Sequence, residues 1–257
     1  MGCGGSKGPY PAGLPAGVAL PEGVEVLSSN SATDVQETVD MAARSYAGTE
    51  QAPAPAEFAW QFGPDLADPA DPAQQKGRAH CLTATMAYCI HYAFLLGDRG
   101  LVLIAREPTK IVGHCVLHFY SEGWKPAGGF AQMKAGGNAG YSKWSKAQQD
   151  FTSSKKDVAL QKVLANLHKA HASGPHIYVE VLAVDPDSQG KGVGGKLMRL
   201  VSAIADAAKL SLYLECDCGK NEAVYQKFGY AKVGTETLAV GTEKTSVQMC
   251  AMRRECK

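Results

Sequence analysis

A strand-forming run, a glycine-rich turn and an amphipathic helix follow one another between residues 177 and 208. The run IYVEVLAV at 177–184 is apolar enough for the centre of a sheet. GKGVGG follows five residues later and leads into a helix with apolar residues on one face, namely Leu197, Leu200, Val201, Ile204 and Ala208. Glycines let a diphosphate approach the backbone, and helix N-terminal N–H groups attract anions. This unit therefore predicts an anion site at 189–197.

A P-loop is one interpretation of this turn. Gly190, Gly195 and Lys196 have the required spacing. The next position is Leu197, where a P-loop needs a hydroxyl for Mg²⁺, so the chemistry argues against it.

A dinucleotide fingerprint is the stronger competitor. Gly190, Gly192 and Gly195 fit G-x-G-x-x-G, and Glu215 lies about twenty residues on, where a ribose-binding acid is expected. Five residues separate Val184 from the first glycine, however, and only about 40 residues follow Glu215. That remainder is too short for the other βαβ units of such a fold.

The third interpretation accounts for more of the chain. The segment Gln189-Gly190-Lys191-Gly192-Val193-Gly194 resembles Q/R-x-x-G-x-G/A, the pyrophosphate-binding motif of the GNAT superfamily of acetyl-coenzyme A-dependent N-acetyltransferases. SLYLEC and NEAVYQKFGYAKVG resemble the next strand, helix and strand of that family, with Tyr230 in place of a Phe. The resemblance covers about 176–253, and HASGPHIYVEVLAVDPDSQGKGVG is similar to the puromycin N-acetyltransferase branch.

The resemblance implies an α/β (α+β) GNAT fold with a central mixed, mostly antiparallel sheet flanked by helices. One domain is expected at 24–257, after a leader at 1–23 that is expected to be flexible because it is rich in Gly and Pro. The resemblance also implies acetyl-coenzyme A as co-substrate and a direct attack by the acceptor amine. The coenzyme-binding residues that it implies are Leu182, Ala183, Val184, Gln189, Gly190, Lys191, Gly192, Val193, Gly194, Gly195, Lys196, Asn221 and Tyr225.

Acetyl transfer needs a proton acceptor for the amine and a proton donor for the leaving sulfur. Tyr225 lies one helical turn after Asn221, and the family resemblance implies that it is the general acid; otherwise it is a core aromatic residue. Glu180 is the candidate base because a carboxylate in an apolar strand needs a reason. Tyr178 shares its face by alternation. A structural glutamate, or His176 as base, are the alternatives.

No metal site is expected. His168, His171 and His176 have no carboxylate at ligand spacing, and His114 and His118 lie on one strand face.

The composition excludes several classes of protein. The formal net charge of +1 predicts no nucleic-acid partner, and no apolar run is long enough to cross a membrane. The eight cysteines include one close pair, Cys216 and Cys218, which lacks zinc-site spacing. Reduced, mostly buried thiols in a cytoplasmic protein are therefore expected.

The first residues, MGCGGSK, carry an acylation pattern. In a eukaryotic cell, M-G-x-x-x-S directs myristoylation to Gly2, and the adjacent Cys3 is suited to palmitoylation. Two lipids would tether the chain to the cytoplasmic face of a membrane. A disordered glycine-rich leader is the alternative.

Periodicity predicts the remaining elements. Helices are expected at 32–47, 73–96, 153–172 and 221–228, and strands at 101–105, 111–119, 211–216, 229–239 and 244–253. Loops at 48–72 and 121–148 are expected to bind the acceptor, with Trp124, Tyr141 and Trp144 as candidate lining.

Three functions remain open. The first is acetylation of a primary amine on a small molecule. The second is acetylation of a protein lysine or N-terminus at a membrane. The third is a non-catalytic acyl-coenzyme A sensor. The sequence leaves the amine and the oligomeric state undetermined.

Overall fold

The computed structural model describes residues 14–122, 129–241 and 245–257. Within them the strands are β1 (Val24–Val26), β2 (Gly100–Glu107), β3 (Lys110–Tyr120), β4 (His176–Val184), β5 (Ser211–Asp217), β6 (Ala231–Leu238) and β7 (Val247–Arg254). The α-helices are α1 (Ala32–Ala47), α2 (Ala56–Gln61), α3 (Pro72–Leu95), α4 (Gly129–Asn138), α5 (Lys146–Thr152), α6 (Lys155–His171), α7 (Val193–Ala208) and α8 (Lys220–Gln226).

The strands form one mixed sheet in the order β1-β2-β3-β4-β5-β7-β6. Every neighbouring pair is antiparallel except β4 and β5, which are parallel. The predicted mostly antiparallel sheet flanked by helices is therefore confirmed, and β4 holds the central position that its apolar sequence predicts.

Helices cover both faces of the sheet. The apolar face of α7 packs on one side, against residues that include Leu103, Ile177 and Leu212. On the other side α1 and α3 cover one half of the sheet, and α6 covers the half formed by β5 and β7.

Local signals fix several helix ends. Ser31 caps α1, and its hydroxyl accepts a hydrogen bond from the N–H of Asp34. Asp71 caps α3, where Pro72 occupies the first turn. The predicted helices at 32–47, 73–96 and 153–172 are confirmed to within two residues at each end.

Two predicted loops contain helices. The segment 121–148 holds α4 and the start of α5, and 48–72 holds α2, so neither is one continuous loop. Ser145 explains the start of α5, because Ser145 and Gln148 form a capping box. The sequence analysis also missed β1, which is only three residues long.

The expectation of reduced thiols is wrong for Cys218, Cys250 and Cys256, which are disulfide-bonded. Cys218 and Cys250 form a disulfide, with a Cα–Cα distance of 5.3 Å. Antiparallel pairing of β5 with β7 sets Cys216 opposite Cys250 and brings Cys218 alongside, although 32 residues separate the bonded cysteines. Cys81, Cys89, Cys115 and Cys216 are free thiols.

Part of the predicted leader contacts the domain, because Leu14 and Val18 pack against the core. Gly2, Cys3 and Trp124 lie outside the described residues. Among the residues that the structure does describe, no helix combines the length and apolar character needed to span a bilayer.

Candidate active site

The central sheet splits between β4 and β5. The two parallel strands pair only at their beginnings, from His176 opposite Ser211 to Tyr178 opposite Tyr213. Beyond this point β4 runs on to Val184 beside β3, and β5 runs on to Asp217 beside β7. A gap therefore opens towards the carboxyl ends of the two strands.

A bulge in β4 lies at the start of this gap. Val116 of β3 is opposite Val181, and the next residue, Leu117, is opposite Val179, so Glu180 is the extra residue. The bulge reverses the side-chain alternation. Before it Val179 faces the α7 side, whereas after it Val181 faces the α1 and α3 side.

A cavity of about 1090 Å³ lies on the α1, α3 and α6 side of the split. Because of the bulge, Glu180 and Val181 both line it. The other lining residues include Tyr46, Glu57, Phe58, Tyr88, Cys89, Tyr120, Met133, Tyr141, Trp144, Asp157, His168, Lys169, Tyr178 and Glu215. Its size is that of a site for a small organic molecule.

Two carboxyl groups face each other across the start of the gap. Burial raises the pKa of Glu180 to about 8, and the charge of Glu215 contributes to the rise. Burial likewise raises the pKa of Glu215 to about 7, while a hydrogen bond from Tyr178 opposes that rise. Both groups can therefore exchange protons near neutral pH.

A buried histidine lies next to Glu180. The Nε2 atom of His118 lies 3.2 Å from Oε2 of Glu180. Burial lowers the pKa of His118 to about 3, with His168 adding to the effect. The contact at neutral pH therefore involves an uncharged imidazole, and it leaves Glu180 free to accept a proton.

The opposite wall carries two more acids. Burial raises the pKa of Glu57, on α2, to about 7, and that of Asp157, on α6, to about 6. Gln61, one turn after Glu57, donates a hydrogen bond to Asp157 at 3.2 Å. This contact links α2 to α6 along the cavity.

A tyrosine from α1 reaches the exposed edge of β4. The Tyr46 hydroxyl donates to the carbonyl oxygen of Leu182 at 3.0 Å and accepts from its N–H at 3.4 Å. The N–H of Asp185 turns the other way and bonds Val112 of β3. By alternation the N–H of Ala183 also points to β3. Of the three β4 residues predicted to bind the coenzyme, only Leu182 and Val184 therefore direct their N–H groups to the gap.

Tyr225 lies on the other face of the sheet. It packs, half-buried, against the core beneath α7, and its ring is 5.8 Å from that of Tyr230. Burial raises its pKa well above the usual value for tyrosine, with the phenol of Tyr46 as the next contribution. Tyr225 and Glu180 therefore flank the split from opposite sides.

The glycine-rich turn is open to solvent. Gly190 and Gly192 have φ values of +77° and +88°, a region that favours glycine, and a Cβ atom at either would have no neighbour within 4 Å. Gly192 begins α7 without a side-chain cap, so the first N–H groups of this 16-residue helix have no capping side chain. The turn thus offers open glycines beside uncapped helix N–H groups, and anion binding there stays a prediction.

The polar residues around the turn differ in position. Lys191 is exposed, whereas the ammonium of Lys196 donates to the carbonyl of Glu22 at 3.1 Å. Gln189 donates to the carbonyl of Val184 at 3.2 Å, which ties the turn to the end of β4. Asn221 lies half-buried in the first turn of α8.

The histidines that we considered as metal ligands separate into two groups. Nε2 of His168 and Nε2 of His176 are 3.1 Å apart, and Tyr120 stacks on His176. His171 instead lies against Gly234 of β6. Among the described residues, the group with metal-ligand geometry is Cys218, Glu222 and Cys250, and its two sulfur atoms are joined as a disulfide.

The sequence analysis missed three residues of this site. Tyr46 lies in the helix predicted at 32–47 without being singled out for the site, and Glu57 was placed in a loop. Glu215 was considered only as a ribose-binding acid. The one available signal was a carboxylate inside the apolar strand SLYLEC, the feature that singled out Glu180 in β4.

Comparison with known proteins bears on the family and the fold. Residues 152–230 match the model of the Acetyltransferase (GNAT) family. No curated protein matches the chain. Among solved structures, the Corynebacterium glutamicum "histone acetyltransferase HPA2 and related acetyltransferase" is 19% identical, with 91% of this chain and 96% of that chain covered and a TM-score of 0.53. At this identity the similarity concerns the fold.

Two further structures are more distant. The ribosomal-protein-S18-alanine N-acetyltransferase from Escherichia coli is 13% identical, covers 91% of this chain and 93% of its own, and has a TM-score of 0.46. A putative phosphinothricin N-acetyltransferase is 12% identical, covers 91% and 98%, and has a TM-score of 0.45.

Proposed function

We propose that this chain, which contains a GNAT acetyltransferase domain, transfers an acetyl group from acetyl-coenzyme A to a primary amine of a small molecule, by direct attack in a ternary complex. The observation that carries the proposal is the split between β4 and β5, which joins two different sites. On one side is the glycine-rich turn at the start of α7, and on the other is the cavity that Glu180 lines.

The residues present fit the coenzyme. Open glycines at 190 and 192 leave room for a diphosphate beside uncapped helix N–H groups. The backbone of Leu182 and Val184 offers polar groups to an extended amide-containing arm along the edge of β4. The coenzyme supplies the activated thioester, and the remaining steps fall to the chain itself.

Glu180 is the proton acceptor in this proposal. In its ionised form it takes a proton from the ammonium of the acceptor, which leaves the nitrogen lone pair free to attack the acetyl carbon. The raised pKa of Glu180 suits this task, because a base of ordinary carboxyl strength would hold the proton too weakly. His118 packs against this carboxyl group, with its Nε2 atom 3.2 Å from Oε2.

Tyr225 is the proton donor to the leaving sulfur. Its raised pKa means that the phenol keeps its proton at neutral pH until the carbon–sulfur bond breaks. The N–H of Leu182 stabilises the carbonyl oxygen as negative charge develops there, once the Tyr46 hydroxyl gives up its contact.

Coenzyme binding can be tested at Gly192. We expect Gly192→Glu to abolish acetyl-coenzyme A binding in calorimetry, because the new carboxylate would occupy the diphosphate site. Gly97→Glu is the matched control, since Gly97 is also exposed, has a φ of +61° and has open space around it. Equal affinity in both variants would refute the proposed coenzyme site.

The reaction itself is tested by coenzyme A release with a panel of small primary amines. Acetyl-coenzyme A binding without turnover on any amine would favour the sensor, and turnover on peptides alone would favour a protein acceptor. Binding of NAD(H) in place of acetyl-coenzyme A would restore the dinucleotide interpretation of the same glycines.

A further inference from the structure

The acceptor cavity is acidic along two walls. Glu180 and Glu215 come from the split strands, and Glu57 and Asp157 come from α2 and α6. The proposed chemistry uses one of these acids, Glu180. The other three call for a separate explanation, because buried carboxyl groups are costly without partners.

Oε2 of Glu180 is buried without a hydrogen-bond partner among the described residues, and two of the other three acids also have such an oxygen. The latter two oxygens are Oε2 of Glu57 and Oε1 of Glu215. Glu57 is only 9% exposed and the side chain of Glu215 only 2%, yet both line the cavity. Nitrogen donors on the ligand would satisfy both oxygens.

Positive charge is scarce among the described lining residues. Lys169 is exposed at the rim, and burial lowers the pKa of His168 to about 4, so that histidine is neutral at pH 7. Aromatic rings fill much of the remaining wall, including Tyr88, Tyr120 and Trp144. Carboxylates and aromatic faces together are the environment that binds alkylammonium groups.

The acids are spaced along β5. Glu215 and Asp217 lie on one face of the strand, two residues apart, which is about 7 Å. Asp217 accepts a hydrogen bond at 3.4 Å from the N–H of Ala56, next to Glu57, and its charge acts on Glu57. Glu57 therefore lies beside Asp217, one strand repeat of about 7 Å beyond Glu215 along β5.

We propose that the acceptor is a small molecule with two cationic amines about 7 Å apart, one at Glu180 and Glu215 and the other at Glu57. This inference rests on the proposed acetyl transfer and names its substrate class. The amine at the split is the one acetylated. The second amine stays charged, and its contact with Glu57 fixes the position of the alkyl chain between the two amines. An alkyl diamine with four or five methylene groups has this spacing.

The test compares 1,5-diaminopentane with 1-aminopentane, which has the same chain and one amine fewer. We expect kcat/KM to be at least tenfold higher for the diamine. In Glu57→Gln the ratio of the two values should fall to within twofold of unity. In Glu107→Gln, a change at an exposed glutamate in the β2–β3 turn, the ratio should stay as in the unmodified protein.

A ratio near unity in the unmodified protein would overturn the inference, as would a Glu57→Gln variant that keeps the full preference for the diamine. If Glu57→Gln does not fold, Glu57→Asp keeps the charge on a side chain one methylene shorter. The preference should then shift towards a longer diamine, and an unchanged preference for 1,5-diaminopentane would count against the inference. Failure of the proposed function is a different result, namely no coenzyme A release with either amine.

Discussion

The phenol of Tyr46 occupies both backbone polar groups of Leu182, with its oxygen 3.0 Å from the carbonyl oxygen and 3.4 Å from the nitrogen. Leu182 lies in the part of β4 that has separated from β5, so a side chain from α1 completes hydrogen bonds that a neighbouring strand would otherwise make. In the proposed reaction an acyl-coenzyme A would need the same groups.

Tyr46→Phe should separate stability from coenzyme affinity. Without coenzyme, loss of the two hydrogen bonds should lower the free energy of unfolding by about 1–2 kcal/mol. Affinity for acetyl-coenzyme A should rise several-fold, because the ligand no longer displaces the phenol. Urea unfolding and calorimetry measure the two effects. Tyr141→Phe, which removes an exposed phenol at the cavity rim, is the control, and a fall in affinity in Tyr46→Phe would contradict the expectation.

The sequence predicted the parts of this site that depend on neighbours in the chain. The turn at 189–194 and the helix after it follow from local spacing, and the central position of β4 follows from its apolar run. Tyr46 could not be predicted, because its contact with Leu182 spans 136 residues and depends on how α1 packs against the sheet.

The sequence did not predict the β4 bulge either. Strict alternation places Tyr178 and Glu180 on one face and Val181 on the other, whereas the extra residue at Glu180 turns Glu180 and Val181 into the same cavity. The disulfide from Cys218 to Cys250 depends on the pairing of β5 with β7, which cysteine spacing does not reveal. Both features arise from strand register, and register is a tertiary property.

Stability should fall as the pH rises through neutrality. The pKa of Glu57 is raised to about 7 by burial in the folded protein, above its ordinary value of 4.5. The neutral carboxyl therefore stabilises the fold fully below pH 4.5, and this contribution is lost as the pH rises through 7. The side chain in Glu57→Gln stays neutral at all these pH values. The free energy of unfolding of this variant, relative to that of the unmodified protein, should therefore rise by up to about 3 kcal/mol between pH 4.5 and pH 8.

Urea unfolding at several pH values measures this difference, with the exposed Glu107→Gln as the control. Parallel pH profiles for Glu57→Gln and the unmodified protein would show that Glu57 ionises without cost in the folded state.

The rate of acetyl transfer should depend on the ionisation of Glu180. Burial and the neighbouring Glu215 raise its pKa to about 8, and a base works only when deprotonated. The single-turnover rate constant at saturating substrates should therefore rise with pH up to about 8. In Glu180→Gln that rise should disappear, and the rate at pH 8 should fall by about 10²–10⁴-fold. The same pH profile in both proteins would assign the proton transfer to another group.

Tyr225→Phe tests the proton donor to the sulfur. The change removes one hydroxyl and keeps the ring that packs near Tyr230, so the fold and the affinity for acetyl-coenzyme A should change little. The chemical step should slow by roughly 10²–10⁴-fold if the phenol protonates the leaving thiolate. A thiol of pKa about 8.5 leaves reasonably well without help, which favours the lower end of that range. Because slow product release would mask the effect in kcat, the measurement is again a single-turnover rate. Tyr230→Phe is the control, since it removes a neighbouring hydroxyl that has no hydrogen-bond partner among the described residues. A rate within twofold of the unmodified protein would reduce Tyr225 to a packing residue and assign the proton to water.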